Sequence, residues 1–368
     1  MPIGLITLEW DDRLGVQITS KYPEELSISE PTLIQIYSTH EYTGEAGMIS
    51  LMVGSLNIAS YYTGQDKKIY VVLLLNIDDD PDAFEGGLAD ISRIIIQNID
   101  GNAYVPMVPS LFRRLSVYPS LNQEQLIAIT YQDEVKRMII NRLRDEGVIS
   151  KSELNIWLKD KYRYGFVDVD SILFDLVKRD IIKVTSVKGM PSELIFLTND
   201  LLMIRTPPVK ILKNPVEMGL PENLVDDYEM AVKNYFTNYR PSEEDNLKII
   251  ELLVNPPIYE TIRLLRTTVP TKNTLEKLRK KGVDDVDEVL KVLYENKLIQ
   301  VFQDKRSIEY YAMLSDFNLS LIYPKYALNT IIQEYELKSK MDKVLVEYLN
   351  VLEDTYYDLK MQTKPTEE

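Results

Sequence analysis

A chain that carries one segment twice is constrained to build one kind of unit twice, and residues 169–207 lie over residues 286–324 at a constant offset without a gap. Val169-Asp170 meets Val286-Asp287, Leu173 meets Leu290, Leu176 meets Leu293, and Ile181-Ile182 meets Leu298-Ile299. Val184 meets Val301, Leu197-Thr198 meets Leu314-Ser315, and Pro207 meets Pro324. The shared apolar positions run first at helical spacing and then in strand-like stretches, so each copy is expected to hold a helix followed by a hairpin. Upstream, Val148 to Leu154 faces Val269 to Leu275, with extra residues in the first copy near Tyr162 to Gly165. Ser150 with Glu153 has the spacing of a capping box, and Thr271 is the matching N-cap. Each copy therefore reads as helix, capped second helix, third helix and two-stranded hairpin.

The 368 residues exceed what one hydrophobic core holds. The reading is a first domain over 1–120, the first repeat within 121–210, a linker with one helix over 211–242, the second repeat within 243–326, a C-terminal helix over 327–361 and a disordered tail over 362–368. Pro207, Pro208, Pro215, Pro221 and Pro241 break up the linker around a helix from Glu222 to Tyr239. Met341, Leu345, Tyr348, Leu352 and Leu359 give the last helix an apolar stripe too short for a convincing coiled coil, which favours packing on the chain itself.

In the first domain, Gly4 to Trp10 and Leu14 to Thr19 read as strands around a tight turn at Asp11-Asp12-Arg13. A helix starts at Ser29 to Pro31, with Leu33, Ile34, Ile36 and Tyr37 on its apolar side. Strands follow at Met48 to Val53, Leu56 to Tyr62 and Ile69 to Ile77, the last two joined through Gly64-Gln65-Asp66. The nearly unbroken apolar run Ile69 to Leu75 belongs in the middle of a sheet. Asp78 to Asp82 then open a helix carrying Phe84, Leu88, Ile91 and Ile95, and a short helix near Leu111 to Leu115 closes the domain.

The functions open to such a chain are narrowed by what it lacks. Cysteine is absent, which removes disulfides and thiolate metal sites and suits a reducing compartment. The opening Met-Pro-Ile-Gly has no basic leader and no apolar run approaches the roughly 20 residues that span a bilayer, so a cytoplasmic location is expected. The formal net charge of −15 disfavours nucleic acid and anionic membranes at long range and favours basic partners. No Cys and a single His, with much Ile, Tyr, Lys and Glu, lean towards a thermophile. Asp78, Asp79, Asp80 and Asp82 lack the glycine and glutamate of a calcium loop and are read as helix caps. His40, the single histidine, has no partner for a zinc site or a nucleophilic dyad and is read as a surface residue at a helix end. Gly86-Gly87 sits in a helical pattern without the other positions of a phosphate loop. No nucleophile, base and orienting group can be assembled, so no enzyme, cofactor or metal is expected.

The element order of the first domain, strand, strand, helix, three strands and two helices, together with Trp10-Asp11-Asp12-Arg13-Leu14-Gly15-Val16, resembles the longin domains of small-GTPase regulators and adaptors of an archaeal type. Val16 stands where members often have proline. The repeats resemble winged helix-turn-helix domains, with Leu197-Thr198 at the end of the first wing, and their tandem arrangement is similar to that in endosomal-sorting complex subunits. The fold implied is α+β: a longin-like five-stranded sheet with helices, two winged helices and a C-terminal helix. The function implied is a non-enzymatic scaffold or adaptor in trafficking or sorting-type machinery. It would bind a small GTPase or another longin or roadblock subunit as a hetero-oligomer, meeting a membrane only through partners. Arg13, or Arg113 and Arg114, could offer an arginine finger to a GTPase.

The alternative is a winged-helix DNA-binding regulator, and the third helix of each copy decides between them. In the first copy its non-core positions include Asp168, Asp170 and Asp175, and in the second Asp284, Asp285, Asp287 and Glu288. Phosphates repel such faces. Candidate partner contacts are therefore Asp11, Asp12, Arg13, Asp168, Asp170, Asp284 and Asp287. The DNA alternative rests on Lys277, Arg279, Lys280 and Lys281 as phosphate contacts.

Overall fold

A computed structural model describes residues 2–11, 13–44, 46–64, 68–161 and 169–362, without the side chains of residues 281, 361 and 362. The chain divides into two compact units, Met1–Leu121 with Leu154–Asp175, and Asn122–Glu153 with Leu176–Glu368.

The first unit opens with strands β1 (Gly4–Asp11) and β2 (Gly15–Tyr22), helix α1 (Glu30–Thr43), and strands β3 (Gly47–Val53), β4 (Leu56–Tyr62) and β5 (Ile69–Asn76). Helices α2 (Glu85–Gln97) and α3 (Val108–Ser116) follow. The strands form one antiparallel sheet in the order β2-β1-β5-β4-β3. The apolar run of β5 thus lies mid-sheet, and every residue from Ile69 to Leu75 is buried. Alternation sends Tyr70, Val72 and Leu74 to one face, where they join Ile6, Leu8, Ile58 and, from α1, Leu33 and Ile36. On the other face α2 lies over β4 and β5, and α3 over β1 and β2.

Ser29 caps α1 by accepting from the Thr32 N–H, and Pro31 occupies the first turn. The acidic run after β5 serves the backbone: Asp80 accepts from the Asp82 N–H at the start of a 3₁₀ turn, Pro81–Phe84, that leads into α2. Glycine is needed in α2 for close approach rather than for phosphate, since a Cβ on Gly87 would come within 2.7 Å of the Tyr118 ring.

The rest of the chain comprises α4 (Gln123–Gln132), α5 (Glu134–Glu146), β6 (Val148–Ser150), α6 (Lys151–Lys161), α7 (Val169–Lys178), β7 (Ile182–Thr185), β8 (Leu194–Leu197) and β9 (Asp200–Thr206). After these come α8 (Val209–Lys213), α9 (Val225–Asn238), α10 (Glu243–Leu253), α11 (Pro256–Leu265), α12 (Lys272–Leu275) and α13 (Val286–Glu295). Strands β10 (Ile299–Gln303), β11 (Glu309–Met313) and β12 (Asp316–Ile322) and helices α14 (Ala327–Leu337) and α15 (Asp342–Gln362) complete it.

The sequence repeat is repeated in hydrogen bonds. Asp180 after α7 and Lys297 after α13 both take a left-handed backbone, φ 58° and 59°. The next residue closes the turn in each copy, Ile181 N–H to Leu176 O and Leu298 N–H to Leu293 O. A hydroxyl then locks the turn: Thr198 donates to Asp180 O at 2.9 Å, and Ser315 to Lys297 O at 2.7 Å. Strand β6 pairs with β8 in the first copy, and its counterpart in the second is reduced to a single bridge, Thr271 to Tyr310. The N-caps also differ: Ser150 Oγ accepts from the Glu153 N–H, whereas Thr271 makes no side-chain cap bond to the backbone.

Within the second unit the two copies are joined strand to strand. Strand β9 pairs antiparallel with β12, Asp200 opposite Ile322 and Arg205 opposite Phe317. The repeat makes Asp200 equivalent to Phe317 and Arg205 equivalent to Ile322, so the pairing exchanges equivalent positions about a local two-fold axis. Helices α4 and α10 pack together beside this ladder. Two arginines fasten it, Arg205 buried and Arg266 half-buried. Arg205 forks onto Asp245 with both bonds at 2.7 Å, and also donates to Ser315 Oγ and Asn296 O. Arg266 reaches Glu124, Asp316 and Phe317 O. Burial alone would raise the Asp245 carboxyl, but hydrogen bonds from Arg205 and Tyr239 outweigh it and hold the carboxyl below its ordinary range.

Residues 211–242 pack on the second copy: Leu220, Leu224, Tyr228 and Val232 are buried, and Tyr228 donates its hydroxyl to Met313 O. The continuous helix expected over 327–361 is instead two, because Lys338 turns left-handed at φ 52° and ends α14. The break lets Ala327 and Ile331 of α14 and Val344, Leu345, Tyr348 and Leu352 of α15 enter one cluster with Val148, Leu194 and Phe196. Tyr348 also donates to Leu197 O, so the stripe read from the sequence is an internal seam. Met341, assigned to that stripe, is exposed. The expected tail lies outside the described residues apart from Gln362, which ends α15.

Candidate functional site

The residues singled out for partner contact fall on separate surfaces. At the β1–β2 turn, Asp11 Oδ1 accepts from the Arg13 and Leu14 N–H groups at 2.8 and 2.9 Å, which holds its carboxyl below the ordinary range. Arg13 and Leu14 are exposed at the tip, and the strand behind it is braced by Trp10 stacked on Tyr37 at 3.8 Å. Asp12, Asp168, the segment near Tyr162 to Gly165 and the turn at Gln65-Asp66 lie outside the described residues. Arg113 is exposed and Arg114 half-buried in the last turn of α3.

On the third helices the expected acidic faces divide. Asp170 is exposed on α7, but Asp175, read from the sequence as a surface position, is 7% exposed within the first unit. Its carboxylate lies 3.6 Å from where a Cβ on Gly86 would stand, an ordinary contact, whereas the Tyr118 hydroxyl would lie within 2.5 Å, so the missing side chain of Gly86 makes room for Tyr118. On α13, Asp285 caps the helix through the Glu288 N–H, Asp287 pairs with Lys272 at 2.8 Å, and Asp284 is exposed.

The basic segment is a 3₁₀ turn, Glu276–Lys281, with Lys277, Arg279 and Lys280 exposed. The Lys281 side chain lies outside the described set. Arg279 is already engaged, paired with Glu276 at 2.5 Å and donating to Asp284 O. Its charge is therefore offset locally before any phosphate arrives.

The single histidine corrects the sequence reading. His40 is 1% exposed, under the sheet, with Nε2 bonded to Ser60 Oγ at 2.9 Å and the rings of Tyr62 and Tyr70 tilted against it. Nδ1 has no hydrogen-bond partner. Burial pushes its pKa down to about 4, so the imidazole is neutral at pH 7. It faces the core because it sits one turn on from Ile36 on the buried side of α1.

The second unit also holds an open cleft of about 730 Å³ that sequence reasoning missed. Its walls come from the start of α4 (Glu124, Ile127), the edge strand β7 (Ile182, Lys183, Val184), Asp180 and Asn199, the strand β12 (Leu319, Leu321), and the end of α15 (Asp354, Asp358, Leu359). Lys183 pairs with Asp354 at 3.4 Å and Glu124 with Arg266 at 2.8 Å. Asp180 and Asn199 border the turn locked by Thr198, a position the repeat marks, but the other walls come from distant parts of the chain.

Among the described residues no group of three or more His, Asp or Glu side chains is placed to hold a metal ion, and no helix is long and apolar enough to cross a membrane. No protein-family model, curated protein or solved structure matches the chain.

Proposed function

We propose that this chain is a non-enzymatic interaction scaffold or adaptor. Its N-terminal unit acts as a longin-like domain that binds a small GTPase or a second longin or roadblock subunit. Its two repeats act as tandem winged helices devoted to protein contact. The observation that carries this reading is the antiparallel sheet in the order β2-β1-β5-β4-β3, with α1 on one face and α2 and α3 on the other. The element order along the chain, strand, strand, helix, three strands and two helices, is the one on which the longin resemblance rests. The warrant is one of fold, which narrows function without fixing a partner.

The joining of the repeats through β9 and β12 supports a rigid platform rather than two modules free to track separate sites. The DNA-binding alternative draws on Lys277, Arg279, Lys280 and Lys281. Against it stand the prior engagement of Arg279 and the acidic start of α13. Titrating the full-length chain into small GTPases loaded with GDP or a GTP analogue, with duplex DNA at low salt in parallel, separates the two. The proposal expects saturable GTPase binding that depends on the Asp11 to Leu14 turn. DNA binding that falls steeply with salt, without any GTPase binding, would replace it by the alternative.

A further inference from the structure

We infer that the cleft of the second unit is a binding site for an extended basic peptide segment of a partner protein, added as a strand along the free edge of β7. Strand β7 is the last in the order β6-β8-β7. Leu197, opposite Ile182 in the ladder, donates to Gly147 O on the far side, while Ile181 O accepts from Thr198 and Asn199 on the near side. Antiparallel alternation then gives the Lys183 and Thr185 backbone groups to β8 and turns the N–H and C=O of Ile182 and Val184 outward, into the cleft they line. None of the described hydrogen bonds uses them. An open strand edge is the template to which extended peptides add.

Asn199 lines the cleft, is 5% exposed, and donates Nδ2 to Asp180 O at 2.7 Å, which fixes which end of its amide is oxygen. That oxygen, Oδ1, has no hydrogen-bond partner. Oδ1 is buried below the cleft surface, so Asn199 shapes the wall and leaves recognition to the β7 edge and the charges around it. The charge of the cleft selects the peptide. With Lys183 taken by Asp354 and Glu124 by Arg266, Asp180 and Asp358 remain as carboxylates that no described ion pair engages. Val177, Leu319 and Leu321 supply apolar surface between them. The occupant is thus an extended segment with apolar residues on one face and Lys or Arg on the other. The site lies in the second unit, so its failure and the failure of the GTPase reading are separable.

The test titrates the full-length chain into a fluorescein-labelled peptide of alternating lysine and valine, about ten residues long, and its glutamate-valine counterpart, followed by fluorescence polarisation. The lysine peptide binds saturably and the glutamate peptide does not. Val184→Pro removes the outward N–H without touching the β8 ladder, and Asp358→Lys reverses the charge at an exposed position. Each weakens binding by about tenfold or more. If Val184→Pro does not fold, Asp358→Lys decides alone. Absence of lysine-peptide binding, equal binding of the glutamate peptide, or unchanged affinity in Asp358→Lys overturns the inference.

Discussion

Replacing Arg205 with methionine tests whether the repeats are joined by more than a shared chain. The Arg205 side chain is 2% exposed and makes four hydrogen bonds, two to Asp245 at 2.7 Å and one each to Ser315 Oγ at 2.8 Å and Asn296 O at 2.9 Å. Removing one partner of a buried ion pair costs about 3–5 kcal/mol, chiefly because the remaining charge is stranded. Asp245 keeps some water, at 23% exposure, and the Tyr239 hydroxyl at 2.8 Å, which places Arg205→Met near the low end, about 3 kcal/mol. Asp245→Leu alone strands the guanidinium and also removes a carboxylate from the first turn of α10. The double variant strands no charge, so it recovers about 2 kcal/mol relative to the sum of the single changes. Urea unfolding followed by circular dichroism gives the three values, and hydrogen exchange on 200–206 and 316–322 locates the effect. A loss below about 1 kcal/mol for Arg205→Met, or additive single changes, would refute the account of the joint.

Three other outcomes follow from particular contacts. His40 is held neutral with its pKa lowered to about 4, against an ordinary value of 6.5. The unfolded chain therefore binds the extra proton between these values; stability is full above pH 6.5 and falls by about 3 kcal/mol on acidification to pH 4, and His40→Gln removes this part of the pH profile of urea unfolding. Gly87→Ala drives a methyl into the Tyr118 ring and costs about 1–3 kcal/mol by thermal unfolding, whereas the same change at an open position would not. Tyr228→Phe leaves Met313 O without its donor and costs about 1–2 kcal/mol, measured by denaturant midpoint.

What could be read in advance followed from local chemistry. The run Ile69 to Leu75 has apolar residues on both sides of a strand, which only a central place in a sheet can bury, and β5 lies there. Ser29 and Pro31 mark the start of α1 because capping is decided within one turn. His40 was misread for the converse reason: its partner Ser60 is on another strand, and a lone histidine carries no sign of the side of a helix its neighbours will cover. Asp175 falls at a helical position like any surface acid, and nothing in its spacing shows that tertiary packing covers it. The break at Lys338 interrupts an apolar spacing that continues on both sides, so periodicity could not show it. The repeat foretold two like units, but the exchange of β9 with β12 depends on a register that only tertiary packing sets. The cleft was hidden further still, since its walls are drawn from positions between Gln123 and Leu359.

Affinity purification of the tagged full-length chain from its own cells, with mass spectrometry of the proteins retained, tests the interaction-scaffold reading most directly. The account predicts recovery of a small GTPase, or of a longin or roadblock protein, at near-stoichiometric yield and resistant to nuclease. Recovery of chromatin proteins alone, released by nuclease, would contradict it and place the repeats on DNA.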